Sequence, residues 1–512
     1  MPIGITGLTL ASSPSPITLA QALSDFWERG EVRSLTAIAD NNQSLTYGQL
    51  ASLTAQFADN LVARGARAGD VVGITMRRSI DAVVALLGSV RAGFCPCVLE
   101  PGLPGDEIAE RLSLVDAKWV IFDREYETLV SSLNTPNLTP VDFTDLPTDS
   151  AMHAQPAPAP DTRALLLFTS GSTGKPKAVE LSQSALLSNA LGVIRHGGLS
   201  SLDRLLHVMP LYHTNGVNNQ LFAPLLAGAS VIFAERFRAE DMPALLERYR
   251  PTIVTGVPTM YSRMLAQNFS AASLSALRMA RCGSAPITEA LHQAVEDKLG
   301  CPLVVSYGLS EATCTSTMNP PDARRVGSVG TVLQGQRVRL RAADGSMTNE
   351  ADVEGEICIG GPGLMSGYIG APDATARAVS DGWLSTGDLG RFDNDGYLYV
   401  TGRIKDVIIR GGENISPLLI EGVIVSETRV SACCVVGRAH GDLGEVPVAV
   451  VVPGRDTFVS ADEICAAVRR RLSRIYVPQD VLFVDALPET AVGKVDRKAL
   501  AALVGRSTSQ VH

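Results

Sequence analysis

The sequence predicts an α/β protein with a large N-terminal domain of helix-covered sheets, which includes a barrel-like subdomain, and a small, mobile C-terminal α+β domain. Three observations predict this fold class. Residues 71–99 alternate strand, helix and strand; short strands punctuated by glycine follow residue 325; and a new α and β pattern begins after residue 402. At 512 residues the chain is too long for one compact core, so at least two domains are expected.

The N-terminal part reads as a helix-covered parallel sheet. Residues 46–65 carry apolar side chains at helical spacing and end at a glycine, which predicts an amphipathic helix. Strand 71–76, helix Ile80–Arg91 and strand 94–99 then form a βαβ unit, which implies parallel strands with helices on their faces. Further strands are expected at residues 119–122, 231–233, 253–255 and 303–305.

The rest of the chain has a different pattern. Strands at 336–341 and 355–359 indicate an antiparallel or barrel-like subdomain. A strand at 397–401 ends at a joint, so we place the domains at 1–402 and 403–512. The second domain is expected to contain strands 432–436 and 446–452 and a helix over 461–472. A Pro- and Ala-rich stretch at 151–161 reads as an exposed connector.

Composition excludes several classes of protein. The net charge of −9 and the absence of a basic run argue against a nucleic-acid partner. No apolar stretch is long enough to span a bilayer, and neither a secretory signal nor a peroxisomal tail is visible, so we expect no transmembrane segment and a cytoplasmic protein. The nine cysteines include no Cys-x-x-Cys pair, which indicates buried thiols rather than disulfides or a zinc site.

A loop of small residues, hydroxyls and lysines follows the apolar run at 165–168 and is the first chemical signal. Its glycines let backbone N–H groups approach phosphate oxygens, its hydroxyls add donors and its lysines add positive charge. It is not the common P-loop, because Gly171 and Gly174 are two residues apart and Pro176 follows Lys175. A bound nucleotide is predicted, and a Ser/Gly-rich surface turn is the alternative. The loop residues are Thr169, Ser170, Gly171, Ser172, Thr173, Gly174, Lys175, Pro176 and Lys177.

Five further motifs occur in order along the chain. One, from Tyr307 to Thr313, is expected to follow a strand, and another, from Ser385 to Asp388, to precede one. The others are Gly402-Arg403, Gly411-Gly412-Glu413-Asn414-Ile415-Ser416-Pro417 and Pro488-Glu489-Thr490-Ala491-Val492-Gly493-Lys494. With the loop, they resemble the superfamily of adenylate-forming enzymes over nearly the whole chain. Among these enzymes the sequence is most similar to the acyl-CoA synthetases.

The resemblance implies an ATP- and Mg²⁺-dependent enzyme that joins a carboxylic acid to the α-phosphate of ATP. Lys494 would neutralise charge between the two anions, and Glu311 would hold Mg²⁺, which prefers carboxylate oxygens and retained waters. Taken alone, each is an ordinary exposed residue. The implied nucleotide contacts, besides the loop, are Ser284, Ala285, Pro286, Ser306, Tyr307, Gly308, Ser310, Asp388 and Arg403. Asp388 suits a ribose diol, although it could simply cap a turn, and Arg403 could form a surface ion pair.

The resemblance also implies a second step in which the C-terminal domain swivels. Gly411 and Gly412 would then leave a path for the thiol arm of CoA, the predicted acceptor. Lys405 occupies the hinge position. One departure is Leu419, where the family usually has an acid, and its effect is left open.

The acid pocket is less well defined. Residues 209–216 resemble the segment that walls this pocket, with His213 near the carboxylate, although a packed structural histidine is the alternative. Tyr212-His213-Thr214 lacks the aspartate that pairs with an α-amino group, which disfavours amino acids. Asn215, Asn218 and Asn219 suggest a short or functionalised acid. Cys314 and Thr315 would supply more of the wall.

Arg281 has two possible roles. It could pair with a second carboxylate of the substrate, but we expect a strand-end arginine that faces solvent. The rivals to an acid:CoA ligase are an adenylating enzyme that loads a carrier protein or another nucleophile, and a non-catalytic binding module. A serine hydrolase is disfavoured because no Gly-x-Ser-x-Gly motif occurs.

Overall fold

The computed structural model of the chain describes residues 17–100, 102–146, 157–169, 176–454, 457–490 and 494–506. Within these ranges the chain forms four sheets with helices packed around them. Part of the predicted connector at 151–161 lies outside the described residues. None of the described helices combines the length and the apolar character needed to cross a membrane.

One sheet has seven strands in the described part of the chain and contains the predicted βαβ unit. Strand Val71–Thr75 pairs in parallel with Cys95–Val98, and helix Ile80–Arg91 connects them, as predicted. Every residue of Val71–Thr75 is buried because helices cover both faces of the sheet. The strand order is Gly367–Tyr368, Lys177–Ser182, Arg163–Thr169, Cys95–Val98, Val71–Thr75, Ala117–Phe122, Thr139–Asp142.

A second sheet has nine strands among the described residues. Six neighbouring strands, from Leu303–Tyr307 to Thr36–Ala39, are parallel, so their carboxyl ends lie along one edge. In open α/β sheets that edge is where ligands bind. The strand order is Thr331–Val332, Thr317–Met318, Leu303–Tyr307, Met279–Cys282, Ile253–Gly256, Arg204–His207, Ser230–Phe233, Thr36–Ala39, Ser44–Thr46.

Helices of several lengths surround the sheets. The predicted helix at 46–65 is observed as Tyr47–Ala63, with Thr46 and Gln49 forming a reciprocal capping box at its start. Residues Asn215–Phe222 form a π-helix, a rare form that is often found at functional sites. The other α-helices are Leu19–Trp27, Gly30–Arg33, Gly105–Leu114, Glu127–Ser131, Gln183–Gly197, Ala223–Ala227, Met242–Tyr249, Pro258–Leu265, Ala271–Leu274, Glu289–Leu299, Pro372–Ala378, Pro417–Glu427, Ala461–Arg471 and Arg497–Arg506.

The third sheet is antiparallel, as predicted for the region after residue 325, and has six strands in the described residues. The strands are Arg337–Arg341, Met347–Thr348, Gly355–Gly360, Val379–Ser380, Trp383–Phe392 and Leu398–Arg403. The expectation that Ser385 to Asp388 precedes a strand is wrong, because this motif lies inside Trp383–Phe392. Gly387 has a φ of +70° there, and the pairing with strand Gly355–Gly360 shifts by two residues between Glu356 and Cys358. This irregularity gives the motif its turn-like sequence.

The fourth sheet, with five strands among the described residues, belongs to the C-terminal part. The strands are Ile408–Arg410, Glu413–Ile415, Val430–His440, Gly444–Pro453 and Asp480–Phe483. Glu421 is buried, and its carboxylate accepts hydrogen bonds from Arg497 at 2.7 and 2.9 Å and from the Val435 amide at 2.6 Å. Leu419, where the family resemblance implies an acid, is 46% exposed and lies outside the core.

The cysteines behave as the composition predicts. All nine lie within the described residues as free thiols, and seven are buried. The thiols of Cys97 and Cys434 have their pKa values raised to about 12 by burial, which keeps both sulfurs neutral. They act as small apolar side chains.

Candidate active site

Asp388 is the centre of a buried polar cluster at the edge of the nine-stranded sheet. It is 2% exposed. Tyr307, at the end of strand Leu303–Tyr307, donates its hydroxyl to Asp388 Oδ2 at 2.8 Å, and Arg403 donates Nε to Oδ1 at 2.6 Å. Burial and the Asp388 charge raise the pKa of Tyr307, so the phenol stays protonated and remains a donor. The structure thus brings together three residues that the sequence placed in separate motifs.

Glu311 lies beside this cluster in the short turn Ser310–Ala312, directly after the end of a parallel strand. Its Oε1 accepts a hydrogen bond from the hydroxyl of Tyr368 at 2.9 Å. The ammonium of Lys177 lies 4.7 Å from the centre of the Tyr368 ring, a cation–π arrangement. Tyr368 therefore links the carboxylate to the lysine at the end of the phosphate loop. The sequence analysis missed Tyr368, because a tyrosine after a glycine carries no recognisable local signal.

The ends of the phosphate loop are fixed by strand pairing. Thr169 lies opposite Lys177 in the antiparallel pair Arg163–Thr169 and Lys177–Ser182. The other predicted phosphate ligands lie outside the described residues. They are Ser170, Gly171, Ser172, Thr173, Gly174 and Lys175.

Lys494 faces the same cleft from the C-terminal part of the chain. Its side chain stays open to solvent, but the surrounding protein removes enough water to lower its pKa. The positive charge of Arg403 lowers the pKa further, and Asp388 and Glu311 oppose the shift. The backbone of Lys494 is held by Thr490, whose amide donates to the Lys494 carbonyl at 2.7 Å.

An ion pair fixes the C-terminal part in this arrangement. Arg263, on helix Pro258–Leu265, donates Nη2 to both carboxylate oxygens of Glu489, at 2.8 and 2.7 Å. Glu489 is five residues before Lys494, so this contact positions the lysine over the cleft. A second contact spans the joint at residues 402 and 403: the hydroxyl of Ser416 donates to the Thr401 carbonyl at 2.6 Å.

His213 is half-buried, with its ring 5.0 Å from the ring of Tyr212. Burial first, and the charge of Lys494 second, lower the pKa of His213 to about 4. The imidazole is therefore neutral at physiological pH and can donate or accept a hydrogen bond without adding a second charge. Its position near the reacting carboxylate stays a prediction.

The remaining predicted nucleotide residues lie around the same edge. Ser284 has a φ of +69°, and the Asn215 side chain donates to its hydroxyl at 3.5 Å; Ser310 Oγ is 3.4 Å from Thr214 Oγ1. The hydroxyl of Ser306 donates to the Cys282 carbonyl at 3.4 Å. Ala285, Pro286 and Gly308 lie close to these in sequence, whereas Gly411 and Gly412 lie in the C-terminal sheet.

The glycine pair forms the hairpin turn between Ile408–Arg410 and Glu413–Ile415. Gly411 and Gly412 have φ values of +60° and +90°, which favour glycine. The Gly411 amide donates to the Leu443 carbonyl at 2.8 Å. Within the described residues, no hydrogen bond or ion pair joins this turn to the Asp388 cluster, so the structure presents Lys494 to the cleft and not these glycines.

The predicted acid pocket is buried and polar. Asn218 donates to Asn189 Oδ1 and Asn219 donates to Thr315 Oγ1, each at 2.9 Å. The expectation that Arg281 faces solvent is wrong: it is 3% exposed. It lies near the end of strand Met279–Cys282, and its Nη2 is 3.9 Å from the sulfur of Met318.

The described residues contain no cluster of three or more His, Cys, Asp and Glu side chains able to hold a metal by themselves. Glu311 is half-buried, and of its two oxygens only Oε1 accepts a side-chain hydrogen bond from another described residue. One carboxylate beside a phosphate loop matches the needs of Mg²⁺, which keeps several waters and takes its other ligands from phosphates.

The fold and this site together define a nucleotide-binding enzyme of two unequal parts. The profile of the AMP-binding enzyme family matches residues 27–369, and that of the AMP-binding enzyme C-terminal domain matches residues 419–494. The chain therefore belongs to the family of AMP-binding enzymes, which confirms the resemblance found in its motifs.

Individual relatives and solved structures are consistent with membership of this family. Indoleacetate-CoA ligase from Aromatoleum aromaticum is 34% identical over 506 residues, covering 92% of this chain and 96% of that protein. Oxalate-CoA ligase from Arabidopsis thaliana is 32% identical over 482 residues, covering 90% and 93%. The crystal structure of ATP-bound MatB from Rhodopseudomonas palustris has a TM-score of 0.89 at 29% identity, covering 95% of this chain and 99% of that one.

Proposed function

This enzyme is an ATP-dependent acid:CoA ligase of the AMP-forming class, and we propose which of its residues act in each of the two half-reactions. A carboxylic acid and ATP give an acyl-adenylate and pyrophosphate, and CoA then displaces AMP to give an acyl thioester. The relatives are ligases of this class, as predicted. One observation supports the assignment most directly: Lys494 lies close enough to Arg403, Asp388 and Glu311 for their charges to act on its pKa.

In the first half-reaction, charge repulsion is the main obstacle, because a carboxylate must approach a phosphate. We assign Lys494 to both anions, so that its charge is closest where negative charge accumulates in the transition state. Asp388 accepts the ribose hydroxyls, and Arg403 orients it. His213, being neutral, donates to the acid without competing with the lysine. The loop from Thr169 to Lys177 holds the β- and γ-phosphates.

Glu311 is the proposed Mg²⁺ ligand. When bound, Mg²⁺ neutralises phosphate charge and stabilises the departing pyrophosphate. The hydroxyl of Tyr368 orients the Glu311 carboxylate, and the ring of Tyr368 supports Lys177. Tyr368 is a positioning residue, since it acts through these two neighbours.

Replacing Tyr368 by phenylalanine tests this arrangement. The ring and its contact with Lys177 remain, but a hydrogen bond to a charged group is lost, so the Mg²⁺ concentration for half-maximal adenylation should rise by about tenfold. Acid-dependent ATP–pyrophosphate exchange, titrated with Mg²⁺, measures this. Tyr249→Phe, whose hydroxyl bonds only to exposed Asn41 among the described residues, is the control. Unchanged Mg²⁺ dependence would remove Tyr368 from the mechanism.

For the second half-reaction, we propose that the two domains meet at residues 402 and 403 and that the C-terminal one rotates about Lys405. Rotation breaks the Arg263–Glu489 ion pair, withdraws Lys494 and brings Gly411 and Gly412 to the cleft as the path for the CoA thiol. Lys405 is exposed in the short turn Ile404–Asp406, which leaves its backbone free to change conformation.

Replacing Lys405 by proline should separate the half-reactions. Proline fixes φ and restricts the residue before it, so rotation is impeded. Adenylation, measured by pyrophosphate exchange, should stay within about twofold, while CoA-dependent acyl-CoA formation should fall by roughly tenfold or more if the hinge change costs the usual penalty of a misplaced proline. Lys405→Ala is the control. Equal loss of both steps would contradict the hinge.

The same pair of assays tests the function itself. A carboxylic acid must support pyrophosphate exchange, and AMP release must then depend on CoA. AMP release that requires a carrier protein instead would establish the alternative acceptor, and the absence of any acid-dependent exchange would leave a non-catalytic binding module. We expect CoA, because the turn Gly411-Gly412 and the following Glu413 to Pro417 have the form found in CoA ligases. A cytoplasmic location remains a prediction.

Sequence similarity to known ligases does not identify the acid. An indoleacetate ligase and an oxalate ligase are almost equally similar to this chain, at 34% and 32% identity. One of these acids is aromatic and the other is a small dianion. The choice must come from the residues of the pocket.

A further inference from the structure

Arg281 is a buried cation without a counter-ion. It is 3% exposed, yet among the described residues no carboxylate lies within ion-pair distance of it. Its Nη1 has no hydrogen-bond partner there, and Nη2 contacts only the sulfur of Met318, at 3.9 Å. A thioether is a weak acceptor, so most of the hydrogen-bonding capacity of this guanidinium is unused.

Another largely buried arginine shows how this chain normally satisfies such a group. Arg78 donates to three backbone carbonyls, those of Ala234, Met209 and His207, at 2.6 to 2.7 Å. Arg281 has no equivalent set. An isolated buried charge is strongly unfavourable unless it is paired, and a site that binds an anion tolerates it because the ligand completes the pair.

The neighbours of Arg281 have unused polar atoms as well. Thr255 lies directly beside it on the adjacent strand, in register, and Thr255 Oγ1 has no partner among the described residues. The same holds for Ser316 Oγ, for Oδ1 of Asn218 and Asn219, and for both side-chain polar atoms of Gln220. Buried polar atoms are normally paired, so an unpartnered hydroxyl beside an unpartnered guanidinium, with further such atoms on the segments predicted to wall the acid pocket, indicates a polar ligand.

Cys314 connects Arg281 with the reaction centre. It is buried, and the charges of both Arg281 and Lys494 act on its thiol and oppose the rise in its pKa caused by burial. Lys494 is exposed and Arg281 is 3% exposed, so Arg281 is the more deeply buried of the two cations. Burial lowers the pKa of Arg281 to about 10, so the guanidinium is still charged at neutral pH.

We propose that Arg281 is the specificity-determining residue of the acid pocket and that the substrate is a short dicarboxylic acid. One carboxylate reacts beside Lys494 and His213, and the second pairs with the guanidinium of Arg281, next to Thr255. The inference rests on the proposed function, since it names the acid used in the adenylation step.

Matched pairs of acids test it. The full-length enzyme is assayed by ATP–pyrophosphate exchange with oxalate, malonate and succinate, each beside its half-amide: oxamate, malonamate and succinamate. A half-amide keeps the size and the reacting carboxylate but lacks the second charge. For the best diacid, kcat/KM should exceed that of its half-amide by roughly 100-fold, as expected for a buried charged pair.

Substitution assigns the preference to one side chain. In Arg281→Gln the ratio of kcat/KM for the diacid to that for the half-amide should fall to about threefold or less, mainly because the diacid is used less well. The half-amide should still be used, and that retained activity also shows that the variant is folded. Arg281→Lys keeps the charge and should retain part of the preference for the diacid. If the glutamine variant does not fold, the lysine variant is compared with the unaltered enzyme instead. Arg339→Gln, an exposed arginine on strand Arg337–Arg341, should leave the ratio unchanged.

Three results would overturn the inference. Equal use of diacids and half-amides is one, and an unaltered ratio in both Arg281 variants is another. The third is exchange that is supported best by monocarboxylic acids such as butanoate, benzoate or phenylacetate, which would leave the proposed function intact. Exchange with none of these acids would defeat the proposed function, and the inference with it.

Discussion

Replacing Lys494 by alanine is expected to slow adenylation by roughly 10²- to 10³-fold, the usual loss when one group that stabilises transition-state charge is removed. The acid and the α-phosphate repel each other most strongly as the new bond forms, and the other cation of the cleft, Arg403, is already paired with Asp388. Acid-dependent ATP–pyrophosphate exchange measures the loss. The thioester step, started from preformed acyl-adenylate and CoA, should change much less, because Lys494 has then left the cleft.

Lys498→Ala is the matched control for this experiment. Lys498 lies four residues further along the chain, on helix Arg497–Arg506, and is exposed. Its replacement removes the same charge from the same part of the protein without affecting the cleft. If Lys494→Ala made the acyl-adenylate at the normal rate, the proposed first half-reaction would be wrong.

The lowered pKa of Lys494 gives a second measurement of the same role. The protonated form is the active one, so adenylation should decline as pH rises through the pKa of Lys494. Since burial and Arg403 lower that pKa, the decline should begin below the ordinary lysine value of 10.5. In Lys494→Ala this alkaline limb should disappear from the residual activity. His213 contributes no step near neutral pH, since its pKa lies at about 4.

The fold was predictable where local patterns and neighbouring contacts agree. The βαβ unit at residues 71–99 was found because its strands and helix are adjacent in sequence and fully buried, so that hydrophobic pattern and topology point to one answer. The motif Ser385 to Asp388 was misplaced for the opposite reason. Thr386 and Gly387 are turn-forming residues, and only pairing with strand Gly355–Gly360 makes them part of a strand.

The site was predictable as a set of motifs but not as a set of contacts. Tyr307, Asp388 and Arg403 were named from three separate segments, and their mutual hydrogen bonds depend on tertiary packing. Tyr368 was missed because its partner Glu311 is 57 residues away. Arg281 was expected in solvent because arginine is rarely buried, and its burial depends on tertiary packing that has no local sequence signal.

Gly308→Ala is expected to lower kcat/KM for adenylation by about 100-fold, because displacements of about 1 Å in an active site have effects of that size. A Cβ at residue 308 would lie 1.8 Å from the carbonyl oxygen of Cys314 and 2.7 Å from its carbonyl carbon. Both are backbone atoms, so no side-chain rotation relieves the clash. The segment that carries Cys314 and Thr315 must move, and with it the wall between Lys494 and the acid pocket.

Gly422→Ala separates this effect from a general cost of adding a methyl group. Gly422 is within helix Pro417–Glu427, and nothing lies within 4 Å of the position a Cβ would take there. Alanine is favoured over glycine inside a helix by roughly 0.5–1 kcal/mol, so this variant should melt slightly higher and keep full activity. Gly308→Ala should instead melt lower and lose activity, and both variants can be followed by thermal unfolding and pyrophosphate exchange. Full activity of Gly308→Ala would show that the Cys314 segment can move without disturbing the acid, and the assignment of that segment to the pocket wall would fail.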